Sequence, residues 1–254
     1  MTLSLAGVLA DARSLWRGAR ELLLPVAGVF FFLPALALRL FLPQPDVSAL
    51  VEEEAMRVAL DWLSTNAPWF ALQLVVQLLG SAVVLVLLLD RDRPPAGAAI
   101  GKGAALLPRL IAGSALLLLP LGALTMGLLV IGGPLLFVLA IGPFFYVLGR
   151  SFVLLPLLAA ERDTPLVGAV TAALRRTAGN GWRLLLLMML VYFPLMLVGE
   201  ILLGIGEKAG PAGGAIVALC VSVVSAAAVL AQLLLQIAAY RLLTVPEPGP
   251  KQGM

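Results

Sequence analysis

The stretch that decides the fold reads LIAGSALLLLPLGALTMGLLVI over 110–131, followed by Gly132-Gly133-Pro134 and a second apolar run to Leu158. About 20 mostly apolar residues make a helix long enough to cross a bilayer. Two such runs end to end exceed any bilayer unless the chain reverses between them. Gly-Gly-Pro supplies that reversal, with two flexible residues and one that cannot continue a helix. The segment predicts a transmembrane hairpin with spans 110–131 and 134–158.

The same reading applied outward gives spans 22–42 and 69–89 before the hairpin, and 182–203 and 215–243 after it. The predicted fold is an all-α membrane protein with six transmembrane helices forming a single domain over 1–244. A tail, 245–254, carries three prolines and no apolar periodicity and is expected to be disordered. Composition agrees. Of 254 residues 61% are hydrophobic and only 12% charged, with mean hydropathy +1.07. A soluble domain carries about 25% charge, so the solvent for most of this chain is lipid. Ala35-Leu36-Ala37 has the A-x-A form of a cleavage site. The apolar run continues past it to Leu42, and the first span is read as retained.

Orientation follows from lysine and arginine, which concentrate on the cytoplasmic side. With the N-terminus inside, 14 of the 17 basic residues lie inside and only Arg39, Arg57 and Lys208 outside. The carboxylates divide evenly, leaving the inner side at +7 and the outer side at −4. Both termini are expected to be cytoplasmic.

The segments between spans carry patterns of their own. Leu5, Val8, Leu9, Ala12, Trp16, Ala19 and Leu23 recur at helical spacing with Arg13, Arg17 and Arg20 on another face. That pattern suits a basic amphipathic helix lying along the inner leaflet; the plainer reading is a helical extension of the first span. Similar small-and-apolar segments ending in arginine begin at Gly97 and Gly168, each leading into a pair of spans. Three weakly similar units are expected, each an interfacial helix plus a hairpin. In the outer loop, Val47, Leu50, Val51, Ala55, Val58 and Trp62 predict an amphipathic helix on the outer surface of the bundle, capped by Asp46 or Ser48. Its Glu52, Glu53 and Glu54 read as a solvated face.

Composition also removes chemistry. There is no histidine, hence no histidine-based acid/base catalysis and no histidine metal site. The single cysteine, Cys220, lies in an apolar run and reads as a packing residue; it excludes an intramolecular disulfide and a cysteine zinc cluster. Neither a cluster of buried acids nor an acid paired with a serine nucleophile is visible. A non-enzymatic protein with no cofactor, no metal and no nucleic-acid partner is expected.

Ionisable residues inside a membrane are site candidates by default. Arg150, well inside the fourth span, is the first, read as holding an anionic lipid headgroup or an acidic side chain, or as snorkelling to the inner headgroups. Arg39 and Glu200 both fall near the outer interface and could form an ion pair. Gln73 and Gln77 share a face of the second span, and Gln232 and Gln236 a face of the sixth. Such amides bond across helices, worth about 0.6 kcal/mol on average, or line a substrate path. Gly122, Gly127, Gly132 and Gly133 are expected to permit close helix packing.

Several of these residues resemble the membrane domain of glycerophosphoryl diester phosphodiesterases and the related YciC-like bacterial membrane proteins. The resemblance starts at Leu5-Ala6-Gly7-Val8-Leu9-Ala10-Asp11-Ala12 with Trp16, and includes Arg93-Pro94-Pro95 with Gly97-Ala98. It is most specific at Tyr146, Arg150, Pro156, Glu161, Ala173-Leu174-Arg175-Arg176-Thr177, Gly179 and Trp182-Arg183, and it ends at Ala238-Ala239-Tyr240-Arg241-Leu242. The chain departs from the pattern at Thr177, where serine is usual, and at Gly142-Pro143, where the usual order is reversed. The resemblance implies six helices in a bacterial inner membrane and a link to envelope or lipid physiology. It implies no activity, since phosphodiesterase chemistry in that family belongs to a separate soluble domain with catalytic histidines. The leading expectation is a scaffold or lipid-contacting module whose partners are the phospholipid bilayer and its anionic lipids. The alternative is a transporter or permease subunit with a midplane path lined by Gln77 and Gln232.

Overall fold

Residues 3–42, 45, 50–90, 94–206 and 210–244 are described by the structure, a computed structural model. Several expectations lie outside them: the Asp46 or Ser48 cap, Val47, Arg93, Lys208 and the 245–254 tail. Every regular element among the described residues is helical. In chain order they are α1 (Leu5–Ala27), a π-helical turn (Gly28–Phe32), α2 (Leu33–Phe41), α3 (Glu52–Leu89), α4 (Ala96–Arg150), a 3₁₀ turn (Ser151–Val153), α5 (Leu154–Ala160), α6 (Leu166–Arg176), α7 (Gly181–Gly206) and α8 (Gly210–Thr244). Six stretches are long and apolar enough to cross a membrane: Leu5–Phe41, Glu52–Leu89, Ala96–Leu128, Val138–Ala160, Gly181–Gly206 and Gly213–Thr244.

α4 keeps a helical backbone through residues 132–134, so the turn expected there does not interrupt the helix. The reversal nevertheless takes place. Arg109 donates to the carbonyls of Leu158, Glu161 and Thr164. A straight helix at 1.5 Å per residue would set Arg150 about 60 Å from Arg109. The residues from Arg150 to Leu158 could span at most about 29 Å of that return. α4 therefore doubles back within its own length, between its two spanning stretches. Gly and Pro are the residue types at which helices bend sharply, glycine through its backbone freedom and proline through its missing amide hydrogen.

The helix next stops at Arg150. Pro156 cannot donate to the carbonyl of Phe152, and the chain passes through the 3₁₀ turn before α5 begins. Gly179, at φ +78°, turns the chain between α6 and α7 in the left-handed region that glycine tolerates.

The two amphipathic segments are not separate helices. The N-terminal one is continuous with the first span, and its apolar stripe packs against the protein interior: Val8, Ala12, Leu23 and Val26 are buried, with Leu15, Trp16 and Ala19 against them. The stripe meets α8, where Gly7 approaches Leu242 and Asp11 faces Arg241 at 3.7 Å. The outer-loop helix is the first part of α3, which runs unbroken through Pro68 into the second span. Its Val51, Met56 and Leu60 are exposed. Pro25 and Pro68 each remove one hydrogen bond at these junctions, yet both helices continue through them.

The core lies where α3 (Ala82–Leu87), α5, α6 and the C-terminal half of α8 meet α1. Close backbone approach there depends on glycines other than those expected. A Cβ on Gly103 would stand 3.0 Å from Val83, one on Gly113 2.5 Å from Leu158, and one on Gly149 2.5 Å from the carbonyl oxygen of Gly181. Gly122 and Gly127, expected at contacts, face open space. Of Gly132 and Gly133 only the helical backbone is described.

Candidate functional site

The polar side chains gather at two ends of the bundle. At the first, the end of α5, α6 and the C-terminal end of α8 converge on Glu161. Its Oε1 accepts from Arg176 Nη1 at 2.5 Å and from the Tyr240 hydroxyl at 3.3 Å. Burial lowers the affinity of the Arg176 guanidinium for its proton, but the hydrogen bond and charge of Glu161, with Tyr240, outweigh it. The Arg176 pKa ends above its ordinary value, so the guanidinium stays charged throughout the usable pH range.

Beside this pair, Arg109 closes the loop after α5 by donating to three carbonyls. Arg150 donates Nη2 to the carbonyl of Leu174, in the last turn of α6, and its guanidinium lies 5.7 Å from the centre of the Tyr146 ring. Cations are stabilising at helix C-termini, where carbonyls lack intrahelical donors. The buried Thr177 hydroxyl sits 2.8 Å from the carbonyls of both Arg150 and Ala173 and shares its one proton between them. Tyr146 also stacks against Trp182, with centroids 5.5 Å apart. The N-terminal strand of chain is tied in by Leu3, whose amide donates to Asn180 Oδ1 at 2.9 Å and whose carbonyl accepts from Arg183. Lys102 and Asp90 pair at 2.7 Å on the far side of a groove that also reaches Arg162 and Tyr240.

The opposite end is open. A cleft of about 740 Å³ lies between α2, the middle of α3, the end of α7 and the start of α8. Its polar lining is Arg39, Gln73, Gln77 and Ser225. Trp62 and Phe70, packed edge to face at 5.6 Å, form an aromatic wall. One turn beyond Gln77, α3 packs closely on the π turn. Gly80 lies against Phe30 and Phe31 so tightly that a Cβ there would collide with both side chains. Phe30 and Phe31 belong to the π turn, in which the Leu33 amide reaches back five residues to Gly28. Pro34 has no amide hydrogen for the Phe30 carbonyl, which favours this looser winding. A smaller cavity of about 210 Å³ adjoins the cleft and shares Arg39, Leu203 and Ser225 with it; Glu200 and Tyr192 stand on its far wall.

The site residues read from sequence are thus distributed unevenly. Arg39 and Glu200 do meet at one cavity and interact electrostatically, but no nitrogen–oxygen pair between them closes to 4.0 Å among the described residues. Gln73 and Gln77 line the cleft together. Gln232 does not join them: it is buried, and its side-chain oxygen and that of Gln236 have no hydrogen-bond partner. The expected bonding of these amides across helices is therefore unmet at their oxygen ends. Arg150 is engaged by a helix end and an aromatic ring. Cys220 is a free thiol of intermediate exposure. Among the described residues no group of histidine, cysteine, aspartate or glutamate is placed to hold a metal. The Glu161–Arg176–Tyr240 cluster was not singled out as a site, although Arg176 and Tyr240 stand in the family-like stretches and only folding brings them together.

No protein-family model, no curated protein and no solved structure matches this chain. What fold and site define is a class: an all-helical protein with six membrane-length apolar helices, with charged groups bonded around Glu161 beside a groove of about 650 Å³ at one end and charges facing a cleft of about 740 Å³ at the other.

Proposed function

We propose that the chain is a non-enzymatic integral protein of a bacterial inner membrane, with both termini cytoplasmic, that holds phospholipid as a lipid-contacting scaffold in envelope or phospholipid homeostasis. The observation that carries this reading is the cleft. It combines apolar walls, two amides, a guanidinium and an aromatic pair, the mixture that suits an amphiphile with a polar head and an apolar body. The tight packing of Gly80 against Phe30 and Phe31, one turn past Gln77, favours holding a molecule over passing it across, and so ranks the scaffold above the transporter. The lysine and arginine distribution supports the orientation, which puts the hollow end at the outer leaflet. On this reading α6, ending in Arg175 and Arg176, is the interfacial helix of the third repeated unit, and the resemblance to the glycerophosphoryl diester phosphodiesterase membrane domain supports a role in lipid physiology.

Native mass spectrometry of the full chain, extracted from bacterial membranes in mild detergent, tests the reading. One phospholipid should remain bound per chain. Folded protein that emerges free of lipid at detergent concentrations where its helical content is unchanged would contradict it.

A further inference from the structure

Arg39 and Glu200 stand on opposite walls of one cavity without touching. Arg39 lies in α2's last turn and Glu200 in the last third of α7, so both stand toward the same end of the bundle. Two opposite charges in a low-dielectric setting attract strongly, and nothing covalent keeps these side chains apart. A cavity of about 210 Å³ between them, opening at Arg39 into the larger cleft, leaves room for a third group carrying both signs. A purely anionic head would satisfy Arg39 and be repelled by Glu200. A purely cationic one would reverse the problem.

We propose that this site holds one zwitterionic phospholipid with a primary ammonium headgroup, its phosphate on Arg39, its ammonium on Glu200 and an acyl chain in the cleft beside Phe70. A primary ammonium carries three donors for the carboxylate, which a quaternary ammonium lacks. The guanidinium fork matches phosphate oxygens two at a time. Ser225, shared by both cavities, is placed to donate to the same phosphate. The inference rests on the proposed lipid-holding role and specifies its ligand.

The full chain in nanodiscs containing equal parts of ethanolamine, choline and glycerol phospholipids, followed by native mass spectrometry, reads the preference directly. Wild-type protein should retain the ethanolamine lipid about tenfold over either competitor, the discrimination one charge-assisted hydrogen bond provides. Glu200→Gln should abolish that preference and raise retention of the anionic glycerol lipid. Arg39→Gln should lower retention of all three. Retention of lipid without headgroup preference in the wild type would overturn this inference and leave the lipid-holding role standing; no retained lipid of any kind would overturn both. The wild-type measurement decides the matter even where a variant fails to fold.

Discussion

The two ends of this bundle use charge in opposite ways. Around Glu161 and Arg150 three guanidiniums bond to protein: Arg109 to three carbonyls, Arg150 through Nη2 to the end of α6 although its Nε has no partner, Arg176 to a carboxylate that also takes a tyrosine hydroxyl. Around Arg39 and Glu200 the charges face a cavity and no hydrogen bond ties either one among the described residues. Gly113, Gly149 and Gly181 press against side chains or backbone near the bonded end, as Gly80 and Gly206 do toward the cleft, whereas Gly122, Gly127 and Gly204 meet nothing within 4 Å. Charge that is internally satisfied builds a rigid joint; charge left facing a hollow is free to recognise a ligand.

The sharpest way to break this contrast is at Gly149. A methyl there would press on the Gly181 carbonyl oxygen, which is backbone and has no rotamer to change. Gly149→Ala should cost about 3 kcal/mol, the upper range for overpacking. Gly122→Ala, in open space within the same helix, should gain up to about 1 kcal/mol from helix propensity. Thermal unfolding in detergent of the two variants checks both, and equal effects would dissolve the distinction.

Next comes Arg150. Removing its side chain in Arg150→Ala takes the charged donor from the Leu174 carbonyl, leaving it the Thr177 hydroxyl at 3.3 Å, and uncovers Tyr146, a loss of about 2 kcal/mol. Arg150→Lys should fall between. Retained lipid should be the same in all three proteins, since this guanidinium serves the fold. A selective loss of anionic lipid would instead assign Arg150 to the bilayer.

The smallest effects compare two ion pairs. Glu161→Gln weakens a partly buried pair that is also bonded to Tyr240, and should cost about 1 kcal/mol after allowing for partial solvent screening. Glu54→Gln removes the carboxylate from a pair with Arg57 at 3.9 Å that is exposed at both partners, with no measurable change expected. A Glu54 effect as large as that of Glu161 would show that solvent exposure does not separate the two.

The six spans were legible because span detection needs only the length and apolarity of a run, as in 110–131. The joint was not. Arg150 finds its carbonyl 24 residues on, at the end of α6, only because the 3₁₀ turn and the loop between α5 and α6 fold the chain back, and neither feature names the acceptor. The glycine contacts were misassigned for a related reason: whether Gly122 or Gly149 faces another helix depends on rotation and pairing of helices, which hydropathy leaves open. Arg39 and Glu200 were read as a possible ion pair because each was an uncompensated charge at the same end; they line one cavity, but no salt bridge joins them. The cavity between them has no signature in one dimension. The two amphipathic stripes were read correctly as helices, but the stripe from Val8 to Leu23 packs on protein, since an apolar face reads alike whether it meets lipid or α8.

Hydrogen–deuterium exchange of the delipidated full chain, with and without added ethanolamine phospholipid, tests the division of labour most directly. Amide protection should rise around Arg39, Phe70–Gln77, Glu200–Gly206 and Gly214–Ser225, the walls of the cleft and its side cavity, and stay unchanged around Arg109, Glu161 and Thr177. Protection gained at the Arg109, Arg150 and Arg176 end, with none at the cleft, would place the lipid on the charged joint and contradict the assignment of ligand binding to the hollow end.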